Sequence, residues 1–435
     1  MRGRFDAAYL LYDALLYLAG LFLIPVTLLR ALVWPRSRRG ILERLGLARA
    51  DPRFADGLLM HGVSVGEVSA MRPLVAALRR AHPSLPLAIS STTLSGRHTA
   101  QRLFPDLAVY AFPVDLPFAC RSFLRRVRPR AVVLMELEIW PNFLRACSRL
   151  ELPVAIVNGR ITERSMSGYR RVQRLLPQFD RIALYGVQNE RYANRFRQLA
   201  VPRMRIQVTG NLKFDNLPAF DPEQGAPQPW SCWVGDRVAM VLGSTHEPEE
   251  LDLLFEASRR PEFDAVLFLV VPRHPKRAPR LLRDLRGAVT GRPVLLRSQQ
   301  PDSEPLPAGA ILVVDSFGEL EAAYRCCRLA FVGGSLIPHG GQNVLEPAAL
   351  GKPVLVGPYT DNFIDEVELL EAGGGLRRAA DPAGLLTCAA EWVADPASAA
   401  DSGRAGASAL SARRGAASTT LRMLEEAGIL APHRP

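Results

Sequence analysis

Glycines, an asparagine and a glutamate close together in Phe331–Pro358, FVGGSLIPHGGQNVLEPAALGKPVLVGP, could hold a phosphate. Gly333 and Gly334 lack a Cβ, so backbone there can approach a bulky anion. Asn343 would open a helix whose first N–H groups are unpaired and partly positive, which suits the phosphate of a nucleotide. Glu346, one turn in, could face a ribose. The structural alternative is that Asn343 and Glu346 simply cap the helix, since Asn with Glu three residues later resembles a capping box. Arg273, in PRHPK, follows the apolar run AVLFLVV and stands at the carboxyl end of a strand, where it suits a phosphate or carboxylate. In DSFGEL, Phe317–Glu319 offers backbone groups, and GSTHEPEE is another strand–turn–helix junction. Each could equally be a surface turn, but their convergence beside the glycine-rich loop favours a nucleotide site.

The first half carries acids and one lysine in corresponding places. In HGVSVGEVSA, Glu67 stands at a helix start after a strand and a glycine turn, where the helix end stabilises a carboxylate. It could be a catalytic group or a cap. In MELEIWPN, Glu136 and Glu138 follow an apolar strand, and two acids there are costly unless partnered. Both are candidates, with Glu138 the better one for fixing the WPN turn. The arginines of NGRITERSMSGYRR could fork onto phosphates or form a solvated face. Lys213, in TGNLKFD, could neutralise a carboxylate or a departing phosphate, or be an ordinary solvated lysine.

These residues need a scaffold that brings strand ends together. Apolar strand-like runs alternate with amphipathic stretches at Leu58–His61, Leu87–Ser91, Ala131–Met135, Val154–Val157, Ile182–Tyr185 and Ile206–Val208. The pattern resumes at Val238–Leu242, Val266–Val271, Val294–Leu296, Ile311–Val314, Leu329–Val332 and Val354–Val356. It signals an α/β fold with parallel sheets, whose ligands sit at the carboxyl ends of the strands. NLPAFDPEQGAPQPW, with four prolines, reads as a linker between the halves. The expected domains are an N-terminal anchor over 1–35, a Rossmann-like domain over 36–215, a linker over 216–230 and a second Rossmann-like domain over 231–435. Ser398–Ala417 reads as an exposed helical tail of the second domain, and the cleft between halves is the expected site.

The 435 residues allow two or three domains, and the net charge of +11 is mostly arginine. No nucleic-acid-binding signature accompanies that charge. Six scattered cysteines without a CxxC suggest reduced thiols and a cytosolic catalytic region, and no Cys/His cluster has zinc spacing. Between Asp13 and Arg30 lie 16 uncharged residues, marginal against the ~20 that a spanning helix needs. With Pro25 inside it, this segment could span once or insert shallowly, with a signal peptide or a buried core helix as alternatives. Arg36, Arg38 and Arg39 outweigh Arg2 and Arg4, which favours the cytoplasmic side for everything downstream.

The ordered set VSVGE, MELEIWPN, NGRITERS, GNLKFD, STHEPEE, VPRHPKR and GGSLIPHGGQNVLEP resembles the motifs of 3-deoxy-D-manno-octulosonic acid (Kdo) transferases, over nearly the whole chain. The resemblance implies the GT-B glycosyltransferase fold, with acceptor in the N-terminal half and donor in the C-terminal half. It implies transfer of Kdo from CMP-Kdo to the lipid A precursor, lipid IVA, in lipopolysaccharide biosynthesis at the cytoplasmic face of the inner membrane. Carried over by motif, Glu67 would be the catalytic base, and Glu136 and Lys213 would stabilise the transition state. CMP would contact Pro272, Arg273, Phe317, Gly318, Glu319, Asn343, Val344, Leu345 and Glu346. Attack opposite CMP would invert the anomeric centre. The anchor and the arginines would hold the acylated bisphosphate acceptor at the bilayer. No cofactor and no metal are expected, and the donor half has no DxD-type pair. Gln342, Val344 and Gly159 depart from the more usual His, Pro and Ala, which leaves the fit around the Kdo moiety less defined than that around CMP. The alternatives are a GT-B transferase using a UDP-sugar on another membrane lipid, and a non-catalytic nucleotide-sugar binding protein.

Overall fold

The computed structural model describes residues 7–21, 38–173, 176–218, 220–221 and 224–431. Contacts divide the chain into two compact units: Met1–Asn216 with Arg414–Pro435, and Leu217–Arg413. Each is built on a seven-stranded parallel sheet.

In the first unit the strands are β1 (Leu58–His61), β2 (Leu87–Ser91), β3 (Ala108–Ala111), β4 (Ala131–Met135), β5 (Val154–Gly159), β6 (Leu184–Val187) and β7 (Ile206–Val208). Their order is β3-β2-β1-β4-β5-β6-β7. Strands β1, β2, β4 and β5 are buried at every position, as expected of a sheet covered by helices on both faces. Two separate apolar clusters, one on each face, supply that cover. The strand order reverses between β1 and β4, which pair in parallel from Leu58↔Ala131 to His61↔Leu134. That switch point is where an open α/β sheet leaves a crevice at its carboxyl edge.

The second unit comprises β8 (Ala239–Thr245), β9 (Leu267–Pro272), β10 (Val294–Leu296), β11 (Ile311–Val313), β12 (Leu329–Val332), β13 (Val354–Val356) and β14 (Leu376–Arg378). Their order is β10-β11-β9-β8-β12-β13-β14, with the reversal between β8 and β12. Apolar clusters again cover both faces. Two doubly wound units in one chain make the GT-B class expected from the sequence.

Four expectations change. Strands β3 and β14 were not foreseen; both lie at sheet edges, and β14 buries only its leucine fully. The unit boundary falls at Asn216/Leu217, and Trp230, placed in the linker, is a buried residue of the second unit's core. The supposed exposed tail is a packed helix, Pro396–Ser411, burying Ala399, Gly403, Gly406, Ala407 and Leu410. It relies on close backbone approach: a Cβ on Gly403 would lie 1.9 Å from the Gly351 carbonyl oxygen, and one on Gly375 would lie 2.3 Å from the Gly406 Cα. The following helix, Ala416–Glu426, belongs to the first unit, contrary to a second domain running to 435. Asp215 accepts hydrogen bonds from the N–H groups of Gly415 (2.7 Å) and Ala417 (2.6 Å), capping that helix from 200 residues away.

Residues 7–21 are helical. Tyr12 donates to Asp115 (2.9 Å), and Asp13 takes bonds from Asn142 (2.7 Å) and Arg145 (3.2 Å). Asp115 also accepts from the N–H groups of Asn142 and Phe143, and burial pushes its carboxyl up to about 6. No helix among the described residues is long and apolar enough to cross a membrane. Residues 1–6 and 22–37, with Pro25 and more than half of the expected 1–35 anchor, lie outside the described residues.

Candidate active site

Glu67 and Glu136 come together at the switch point of the first unit. Glu67 sits in the Val65–Ala70 helix that follows β1, and Glu136 directly follows β4. The Ser64 side chain accepts the Glu67 N–H and donates to its carboxylate (2.8 Å), and the Val63 N–H donates to the other carboxylate oxygen (2.9 Å). The capping arrangement is therefore present, and it fixes the direction of the carboxylate. Glu136 has φ 55°, a left-handed conformation for a non-glycine residue. Such backbone costs ~1–2 kcal/mol and turns the side chain off the strand's alternation. Burial raises the Glu136 carboxyl; Lys213 pulls it down and Glu67 pushes it up.

Lys213 reaches this acid pair through a second left-handed residue. Asn158, with φ 55° near the end of β5, accepts the Leu212 N–H at 3.0 Å. That bond ties NGRITERS to GNLKFD and positions the Leu212–Asp215 turn that bears Lys213. The Lys213 ammonium has no carboxylate within 4 Å among the described residues and acts on Glu136 through space. Glu138 accepts the Trp140 indole N–H at 2.9 Å, fixing the WPN turn as expected. Burial, followed by the charges of Glu67 and Glu136, pushes its carboxyl up to about 7. Three acids and a lysine at one strand edge can take a proton from a hydroxyl and compensate developing charge.

In the second unit, Pro272 ends β9 and Arg273 leaves it, its N–H donating to Thr245 O at 3.0 Å. Phe317, Gly318 and Glu319 form the turn after β11; Phe317 is 76% exposed and Gly318 has φ +86°. The Glu319 carboxylate is paired with Arg297 (2.8 and 3.0 Å) and with Ser316, so that turn can present backbone rather than this acid. Asn343 accepts the Leu345 N–H (3.2 Å) and donates to Glu346 (2.9 Å). Val344 and Leu345 are buried and shape the wall beneath. Although part of Glu346 reaches solvent, burial of its carboxyl raises it, helped by the charge of Glu321 and against the pull of Asn343 and of Arg273. These groups occupy the carboxyl edge of neighbouring strands β11, β9, β8 and β12.

The glycine loop works differently from the expectation. The N–H groups of Gly334 (2.7 Å), Ser335 (3.0 Å) and Leu336 (2.9 Å) all donate to Glu249, which also takes the His246 N–H (2.9 Å). An internal carboxylate therefore occupies the N–H cradle. Gly333 is small for a packing reason: a Cβ there would lie 2.5 Å from the Thr245 Cα. The helix after Asn343 is only five residues long, and the Asn343 side chain already accepts its first N–H, that of Leu345, so a capping role describes the geometry better than an open helix N-terminus.

Sequence reasoning also passed over three histidines. His246, His274 and His339 cluster, with His246 ring centroids 4.2 Å from His339 and 6.2 Å from His274, and Gln342 lies 3.1 Å from His246 Nε2. Burial, then the neighbouring histidines and arginines, hold His246 neutral, down at about 4. Their presence in STHEPEE, PRHPK and IPHGGQ, one per strand end, was the available signal.

Residues 39–216 match the family model described as 3-deoxy-D-manno-octulosonic-acid transferase (kdotransferase). The 3-deoxy-D-manno-octulosonic acid transferase of Bordetella pertussis is 34% identical over 421 residues, covering 91% of this chain and 95% of that protein. That of Haemophilus influenzae is 30% identical over 397 residues, covering 90% and 92%. Among solved structures, a UDP-N-acetylglucosamine 2-epimerase superposes with a TM-score of 0.60 at 16% identity, covering 88% of this chain and 97% of the other. The Neisseria meningitidis UDP-GlcNAc 2-epimerase gives 0.57 at 12% identity, covering 85% and 100%. At those identities the structures speak for the two-unit fold alone. The sequence similarity reaches through both units, and by it the chain belongs to the family of Kdo transferases, which are glycosyltransferases.

Proposed function

We propose that this chain transfers Kdo from CMP-Kdo to a sugar hydroxyl of the lipid A precursor, lipid IVA, with inversion at the anomeric carbon. The observation that carries the reading is the meeting of Glu67, Glu136 and Lys213 at the switch point of the first unit. Glu67 takes the acceptor O–H proton as the oxygen bonds to the anomeric carbon. The bond from that carbon to the CMP phosphate oxygen breaks, CMP departs as an anion, and Glu67 returns its proton to water. The Ser64 and Val63 bonds hold the Glu67 carboxylate in one direction throughout. Glu136 and Lys213 stabilise the transition state, the ammonium compensating the donor's negative charge.

In the second unit, Arg273 meets the CMP phosphate, and Asn343, Val344, Leu345 and Glu346 line the nucleoside with Pro272 and the Phe317–Glu319 backbone. The enzyme works at the cytoplasmic face of the inner membrane, a reading supported by the exposed leucines of helix 7–21. Product mass analysis after incubation with CMP-Kdo and lipid IVA tests the reaction and counts the sugars added. Glu67→Gln is expected to lower transfer by ~10²–10⁴ while CMP still raises the melting temperature. Transfer within tenfold of the parent chain, or stabilisation by UDP rather than CMP, would sink the reading.

A further inference from the structure

A basic groove of about 170 Å³ lies between the helices Pro117–Val127 and Pro141–Arg149, and Glu67, Glu136 and Lys213 are not among its lining residues. Both helices begin at the carboxyl edge of the sheet, so their later turns descend the outer layer of the unit. Arg121, Arg125, Arg145 and Arg149 line the groove, and among the described residues no acid does. Arg145 is committed: it pairs with Asp13 and lies 4.8 Å above the Tyr9 ring. Arg121, Arg125 and Arg149 have no hydrogen-bond or ion-pair partner among the described residues. Arg121 and Arg125 stand at i,i+4 on one helix, as do Arg145 and Arg149 on the other, and like charges so spaced repel. Asn142, 2% exposed, lines the same wall, and its Oδ1 is buried without a donor. The groove thus offers three forked cations without a partner among the described residues.

Its neighbour is helix 7–21. The Asp13 that holds Arg145 and Asn142 belongs to that helix. Beside it, Leu10, Leu11, Leu15, Leu18 and Leu21 are 55–68% exposed, a contiguous apolar face on a helix anchored by its polar one. An apolar face at the rim of a basic groove matches a bilayer boundary, with acyl chains against the leucines and phosphates against the arginines.

We propose that the groove lined by Arg121, Arg125 and Arg149 docks the phosphate headgroup of an anionic membrane phospholipid, with helix 7–21 seated in the acyl boundary beside it. The proposal rests on the membrane-bound reading above and adds a defined lipid site to it. The forked guanidinium groups take the phosphate oxygens.

The test is co-sedimentation of the full chain with vesicles of phosphatidylcholine alone or with added phosphatidylglycerol. Phosphatidylglycerol is expected to raise the affinity of the parent chain, and Arg121→Gln/Arg125→Gln/Arg149→Gln to remove ~100-fold of it, at ~5-fold per arginine. A control with the same charge loss, Arg80→Gln/Arg203→Gln/Arg422→Gln, should keep most of the gain. Equal losses in both triple variants would reduce the effect to net charge and overturn the site. Binding to phosphatidylcholine with no gain from phosphatidylglycerol would overturn the site but leave the membrane reading standing. No binding to either vesicle would overturn both. Transfer in non-ionic detergent without phospholipid should be unchanged in the groove variant. A raised acceptor KM there would give the groove to the acceptor's phosphate and overturn the phospholipid assignment.

Discussion

Replacing Glu249 should loosen the glycine loop, even though Glu249 lies 84 residues before Gly333. Its two oxygens take four backbone N–H groups, those of Gly334, Ser335, Leu336 and His246, at 2.7–3.0 Å. A hydrogen bond to a charged group contributes ~1.5–3 kcal/mol net. Water can reach the two part-buried partners, so only the bonds to Gly334 and Ser335 are counted in full. Glu249→Ala should then cost ~3–6 kcal/mol. Glu249→Gln keeps one carbonyl oxygen but turns an NH₂ toward two donors, for ~2–4 kcal/mol. At ~2–4 °C per kcal/mol for a unit of this size, the alanine variant should melt roughly 6–24 °C lower. Calorimetry of the full chain reads that shift in the second unit's transition, and amide exchange reads protection at residues 334–336. If Glu249→Gln melts within ~1 °C of the parent with those amides still protected, the carboxylate does not hold the loop.

Other consequences can be measured as readily. Glu138 holds its proton up to about 7 when folded, against 4.5 ordinarily, so its stabilising protonation is present below about 4.5 and lost as pH rises through about 7. Glu138→Gln, which cannot titrate, should be more stable than the parent by up to about 3 kcal/mol at pH 8 and lose that advantage near pH 5; parallel denaturation profiles would contradict the shift. Gly403→Ala would gain ~1 kcal/mol of propensity in an open helix, but here its Cβ meets the Gly351 carbonyl. A net loss of ~1–3 kcal/mol in urea unfolding is expected, and a gain would show that the helix shifts freely. Asp215→Ala removes the cap of the Ala416–Glu426 helix and should cost ~1–2 kcal/mol, seen as lost amide protection at Gly415 and Ala417.

The strands whose apolar runs are buried on both faces were legible, because continuous burial leaves no other pattern to follow. Strand β14 escaped notice because an edge strand of sequence LRR carries little of that signal. The Pro396–Ser411 helix misled for a related reason: its cover comes from glycine and alanine letting backbones touch, which no hydropathy pattern records. At the site, Glu67, Glu136 and Lys213 could be picked out because each stands at a strand-to-helix edge. The occupant of the glycine loop could not, since Glu249 is distant in sequence and looks like any acid in a first helical turn. The left-handed backbone at Glu136, Asn158 and Ser244 was equally hidden, as none of these residue types demands it.

The return of Ala416–Glu426 to the first unit sets an order of events during synthesis. Domains commonly fold as they leave the ribosome, the N-terminal one first. Here the earliest unit to emerge lacks Met423 and Leu424, both essentially inaccessible in the finished core and contributing ~1.5–3 kcal/mol each by burial. The intervening Leu217–Arg413 unit contains all of its own sheet and can close while its predecessor still waits for its last helix. A nascent chain that has emerged as far as Arg413 but not yet Ala416 therefore carries a complete second unit and an unsealed first one. The Ala416–Glu426 helix acts as the late clasp of the part that was made first.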